Sequence, residues 1–256
     1  MGVEPRSDEL SSRLASQGAM LQELRATLPF VTPGAARADA RRAVLDQNVL
    51  MRRTVGAREK VFRKLAERYF PNGKPRFAAL LVNALQQRAD EVELPALAYV
   101  GYLWNDGLAF DLGLGWLARR LETLPWRVET GDVESHLEAL AHQNPEARRW
   151  ADSTRESMAQ HYLGLLRDCG FATGARVKQL RRPFVPPSAI LMATRMLVSS
   201  GEATTKVPEH PLFAAMGLRI QDVLDALGEL ASAGVIGFDS QGGVVRLTLP
   251  EGSDRS

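Results

Sequence analysis

Residues 152–182, DSTRESMAQHYLGLLRDCGFATGARVKQLRR, decide how this chain is read. From Ser153 to Cys169 the apolar residues Met158, Tyr162, Leu165, Leu166 and Cys169 recur at spacings of three and four, the period of one helix face. The other side carries Ser153, Ser157, Gln160, His161 and Gly164, which are small or hydrogen-bonding residues. Asp152 or Ser153 is the expected N-cap and Gly170 the expected stop. Past the glycine the helical period ends, and Arg176, Lys178, Arg181 and Arg182 follow with no acid among them. A helix with a small polar face and a basic arm behind it has the layout of a winged helix-turn-helix, in which the helix enters the major groove and the arm lies on phosphates. The same features also suit a plain amphipathic helix followed by a solvated loop, so the rest of the chain has to decide.

The chain has 256 residues, 45% hydrophobic and 24% charged, a composition of folded globular proteins with one large or two ordinary domains. Its formal net charge is only +2, but the charge is unevenly placed. Residues 46–69 hold seven Lys/Arg against three acids, and residues 151–182 hold six against three, whereas the segments 70–150 and 183–256 are net acidic. Positive charge focused in two segments is what an anionic partner would feel. Cys169 is the single cysteine and falls on the apolar face, which suits a reducing compartment and a buried thiol. No signal-peptide pattern opens the sequence, and Asn105, Asp106 and Asp111 interrupt its most apolar region, Leu94 to Leu117. A cytoplasmic location without membrane contact is expected.

Ahead of the opening stretch the expectation is all-helical. Ser7 or Asp8 would cap a helix running to about Thr27, with Leu10, Leu14, Leu21, Leu24 and Leu28 on its apolar side. A second helix would cover Ala35 to Asp46. From Arg58 to Tyr69, Val61, Phe62, Leu65, Ala66 and Tyr69 form a stripe, while Lys60, Arg63, Lys64 and Arg68 share the opposite face. Too few acids accompany these cations to pair them all. Helices follow at 75–87, 94–104 and 132–142, with one helix or a pair at 107–124, and no β pattern is found before about residue 172. After the PFVPP spacer, residues 189–199 form a helix. Residues 210–250 then repeat a helix–glycine–hairpin layout around Ser240-Gln241-Gly242-Gly243. Asp222, Asp225 and Glu229 make the exposed side of that second unit acidic, which favours a protein over phosphates.

No catalytic signature is present. His136, His142, His161 and His210 lack metal-ligand spacing, and no phosphate-binding loop or nucleophile elbow occurs. No metal, cofactor or enzymatic activity is expected. Four stretches, SQGAMLQELRATL, DQNVLMRRTVGAREKVFRKLAERY, DSTRESMAQHYLGLLRDCGF and HPLFAAMGLRIQDVLDALGELASAGVI, resemble in order and texture the BrxA family, the small DNA-binding component of BREX phage-defence systems. The resemblance implies an N-terminal helical bundle akin to the NusB fold, a winged-helix-like C-terminal region and binding to double-stranded DNA. It also implies service beside a methyltransferase, an ATPase and a phosphatase-like protein.

The expected architecture is therefore mainly α. A helical bundle spans 1–150, and a winged-helix-like region with short β-hairpins spans 151–256, its units at 151–185 and 210–250. The expected function is non-enzymatic binding of double-stranded DNA within a BREX-type system. Arg52, Arg53, Arg58, Lys60, Arg63, Lys64, Arg68, Arg176, Lys178, Arg181 and Arg182 would make phosphate contacts. Ser157, Gln160 and His161 would make groove contacts. An RNA-binding NusB-like protein and a scaffold bridging other defence proteins are the alternatives. Against RNA, neither basic segment interleaves exposed aromatics for base stacking.

Overall fold

The computed structural model describes residues 2–16, 18–87, 92–123, 126–241 and 244–250. Helices dominate, in the order α1 (Leu21–Thr27), α2 (Ala36–Arg41), α3 (Val55–Tyr69), α4 (Pro75–Gln87), α5 (Leu94–Asn105), α6 (Gly107–Asp111) and α7 (Ala118–Glu122). Strand β1 (Arg127–Val128) precedes α8 (Thr130–Gln143), α9 (Pro145–Arg148) and α10 (Asp152–Asp168). Strands β2 (Ala172–Thr173) and β3 (Lys178–Leu180) come next. They are followed by α11 (Pro187–Ser200), α12 (Pro211–Ala215), α13 (Ile220–Ser232), β4 (Gly237–Gln241) and β5 (Val244–Thr248).

Helix α5 is the axis. It is apolar on every side and buries Leu97, Ala98, Tyr99, Val100, Tyr102, Leu103 and Trp104, as a helix enclosed by others must. At Gly101 a Cβ would lie 3.0 Å from the Leu81 side chain, so α4 packs directly on the α5 backbone. Helix α3 starts at Thr54, whose hydroxyl oxygen accepts from the Ala57 N–H at 3.1 Å. Thr54→Ala is expected to lower stability by about 1 kcal/mol in a denaturant titration, the usual cost of losing a side-chain N-cap. Leu65, Ala66 and Tyr69 of the α3 stripe are buried, Val61 and Phe62 partly so. The Tyr69 hydroxyl donates to the Ala19 carbonyl at 2.5 Å.

Helix α10 ends as its sequence predicts. Gly170 adopts φ +84°, the Phe171 N–H donates to the Leu166 carbonyl at 2.7 Å, and the Gly170 N–H donates to Arg167 at 3.1 Å. This is the Schellman arrangement that needs a residue free to take positive φ. At the other end Asp152 already lies inside the helix, and Ala151 occupies the cap position without a side-chain bond.

Two expectations need correction. The continuous helix from residue 8 to 27 is instead a 3-10 turn at Ser12–Ser16 followed by α1, with Met20 at φ +54° immediately before α1. Residues 2–11 have no regular structure. The Ser7 N–H donates to the Trp104 carbonyl, and Gly107 lies so close to Glu9 that a Cβ would meet its carbonyl at 2.5 Å. Leu14, Leu24 and Leu28 are nonetheless buried, so the apolar spacing marked burial and not a single helix. Secondly, a strand does precede residue 172. β1 pairs antiparallel with β3, Val128 opposite Lys178, and β2 pairs with β3 on its other edge, giving the order β1-β3-β2. This pairing crosses the division drawn at residue 150, and one continuous apolar core runs from Val3 to Leu247. β4 and β5 form a separate hairpin around Ser240-Gln241-Gly242-Gly243, of which residues 242–243 lie outside the described residues.

Candidate nucleic-acid interface

The cations singled out from the sequence fall into three groups. Arg53, Lys60, Arg63 and Arg176 are exposed and make no hydrogen bond or ion pair among the described residues. A second group is exposed or half-exposed but tethered. Arg52 is paired with Glu23 at 2.9 Å, and Arg58 donates to the Leu45 carbonyl at 2.6 Å. Lys64 Nζ donates to the Ser16 carbonyl at 2.8 Å, and Arg181 Nε to Gly170 at 2.8 Å. The two Nη atoms of Arg182 reach the carbonyls of Gly217 at 3.2 Å and Leu121 at 3.4 Å. The third group cannot serve as expected. Arg68 is only 4% exposed, and Lys178 is 8% exposed with its ammonium on the Ala175 carbonyl.

Arg68 is buried because of helix geometry. Eight residues along an α-helix rotate a side chain by about 80°, so the row begun at Lys60 on the solvent side has turned into the interior by residue 68. There its guanidinium lies 5.5 Å from the Tyr102 ring centroid, and Nη1 donates to the Lys64 carbonyl. Lys178 is buried because it alternates with the exposed Gln179 along β3 and so lies on the same, core-facing side of the strand as Leu180.

The groove-reading candidates are covered in part. Helix α10 packs against the Ser12–Ser16 turn and α8, and a Cβ on Gly18 would lie 3.8 Å from the His161 carbonyl and the Leu165 N–H. His161 is half-buried, its Nδ1 2.7 Å from the Ser157 carbonyl. Ser157 is half-buried too, while Gln160 is exposed and donates to Glu156 at 3.1 Å. The N-terminal segment thus approaches α10 near His161 and Leu165, while Ser153 and Gln160 stay exposed.

That segment links the two basic regions. The Ser12–Ser16 turn lies on α10, and Lys64 of α3 reaches the same turn at Ser16, so α3 and α10 flank one segment. The Lys64 ammonium is held below its usual pKa by burial first, and then by repulsion from Lys60, Arg68 and Arg63, with Glu67 opposing. A cluster whose members destabilise one another's charge is relieved by a bound anion.

One aromatic signal was missed. Phe184, within the proline-flanked Pro183-Phe184-Val185-Pro186 spacer, is 71% exposed beside Arg181 and Arg182. A large ring between prolines directly behind a basic arm was the legible sign. No helix among the described residues is long and apolar enough to cross a membrane.

The BrxA family matches this chain over residues 8–195. The fold resembles the crystal structure of an uncharacterized protein from Magnetospirillum magneticum, with a TM-score of 0.56 and 14% identity over 81% of this chain and 97% of that one. At that identity the likeness speaks for the fold alone. No curated protein matches the sequence.

Proposed function

The chain belongs to the BrxA family, which is associated with BREX, and from that premise we propose that it is a non-enzymatic binder of double-stranded DNA. The observation that carries this reading is the set of exposed cations without partners: Arg53, Lys60, Arg63 and Arg176, with the strained charge of Lys64 beside them. Solvated lysines and arginines that stabilise nothing within the fold are free to neutralise phosphates, and such contacts position a protein without reading sequence.

The topology supports the same reading. Strand β1, helices α8 and α10, and the β2–β3 hairpin follow in the order of a winged helix, with β3 central. In that arrangement α10 takes the groove-facing position and Arg176 lies in the wing between β2 and β3. Because Ser157 and His161 are half-covered and Asp152 and Glu156 are exposed on α10, base readout is weak and phosphate contact dominates. Helix α13 and the β4–β5 hairpin echo the layout, but Asp225 and Glu229 are exposed there and Asp222 is bound to Arg219. An acidic face of this kind suits another protein of the defence system, which keeps a scaffolding role beside DNA binding.

If about five phosphates are neutralised, duplex affinity is expected to fall with salt at a log–log slope of about −4 to −5. Fluorescence anisotropy with a labelled duplex from low to moderate salt measures it directly. A slope near zero rejects the proposal.

A further inference from the structure

A concave site is lined by none of the free cations of α3. The C-terminal end of α10, the chain leaving β3 and the start of α5 enclose a cleft of about 430 Å³. Its walls include Arg167, Arg181 and Arg182 on one side and Pro95 and Ala96 on another, with Phe184 at the edge. That volume falls within the usual range for small-ligand sites.

The charges in the cleft are unequal and held in place. Asp168 is its carboxylate, and it is already bound by Arg167 through Nε at 3.1 Å and Nη2 at 2.9 Å. Arg181 is fixed through Nε to the Gly170 carbonyl, which leaves both of its Nη atoms for a ligand. Arg182 is fixed through both Nη atoms to the carbonyls of Gly217 and Leu121. Guanidinium groups oriented by backbone acceptors lose little freedom when an anion arrives, and their fork matches a phosphate. Phe184, 71% exposed, offers a bare aromatic face within the same cleft. Arginines beside an exposed aromatic and an apolar wall match the chemistry of one nucleotide, whose base stacks and whose phosphate is gripped.

Building on the reading of this chain as a DNA binder, we propose that the cleft takes a single unpaired nucleotide of a DNA strand. Its base stacks on Phe184 against Pro95 and Ala96, and its phosphate is held by the two free Nη atoms of Arg181, with the tethered Arg182 adding only its charge. A duplex in regular stacking has no base to offer this cleft. The site therefore distinguishes DNA with an unpaired end or an extruded base from intact duplex, which the cations of α3 hold without distinction.

The test uses the full chain and labelled duplexes of one sequence: blunt, carrying a short thymine overhang, and carrying an abasic overhang of the same length. The overhang duplex is expected to bind at least about fivefold more tightly than the blunt one, the low end of base–aromatic stacking. The abasic overhang should lose that advantage, because it keeps the phosphates and removes the base. Phe184→Ala should also abolish it with blunt-duplex affinity unchanged, and Phe184→Trp should restore it. Phe184 is exposed, so an unchanged melting temperature is expected for both variants. Equal binding of all three duplexes overturns the cleft while leaving the duplex reading intact. Tight binding of overhang or single strands with none of blunt duplex supports the cleft and removes the duplex reading. An overhang advantage that survives Phe184→Ala overturns the stacking site.

Discussion

Arg68→Ala is expected to cost about 3–5 kcal/mol of folding stability, the range for removing one partner from a buried charged network, and to leave the duplex affinity of the folded protein unchanged. Arg68 is buried over Tyr102, and Asp106 is nearby. Burial raises the Asp106 carboxyl above its ordinary range, and the Ala109 N–H and then the charge of Arg68 act against that rise. Without Arg68, the buried carboxylate loses its cationic neighbour and its pKa climbs further. The sign of the pH effect follows. A carboxyl whose folded-state pKa is raised leaves the fold most stable below its unfolded pKa, and stability falls as pH rises through the folded value. The deficit of the variant relative to wild type should thus be full near neutrality and narrow on acidification into the ordinary carboxylate range. Denaturant titrations at several pH values measure it, and Arg68→Met, which keeps the apolar stem, separates lost packing from lost charge. Wild-type stability together with a tenfold loss of duplex affinity would return Arg68 to the DNA-binding surface.

The second expectation concerns the free cations. Lys60→Glu/Arg63→Glu and Arg53→Glu/Arg176→Glu should each weaken duplex binding at least tenfold, and all four together about a hundredfold, near 2.8 kcal/mol. Reversal adds phosphate repulsion to the lost attraction, and each lost contact should also lower the salt slope by about 0.9. None of the four side chains is bonded to the described fold, so the circular-dichroism melt should stay close to wild type. Wild-type affinity for the first pair with loss for the second would make the Lys60/Arg63 face of α3 merely solvated and leave Arg53 and Arg176 as the phosphate contacts.

Much of this architecture was legible because strong local signals and tertiary packing agreed. The α10 stripe of Met158, Tyr162, Leu165, Leu166 and Cys169 is wholly in the core, and Gly170 takes the positive φ its position called for. What escaped was set by partners distant in sequence. β1 is two residues long, too short for an alternation, and exists only because β3 lies beside it. Leu14 and Leu24 share an apolar spacing across Met20, but the backbone leaves the helix there. Site residues were less legible than core residues. An arginine reads as basic whether it faces water, as Arg63 does, or lies under a neighbouring helix, as Arg68 does. Likewise, Phe184 was read with its prolines as a spacer, and only the placement of the α5 start opposite it turns the ring into one wall of a cleft.

The pairing of Val128 with Lys178 also sets the order of events during synthesis. The partner of β1 is translated fifty residues after it, which at roughly 5–20 residues per second is a wait of about 3–10 s. Throughout that interval the nascent chain carries a strand edge with nothing to pair, next to the apolar segments of α5 and α8. Val128, fully buried at the end, is therefore an unprotected side chain on the ribosome. Completion of the sheet coincides with emergence of the basic arm, so the surface that would meet phosphates takes shape only as that wait ends.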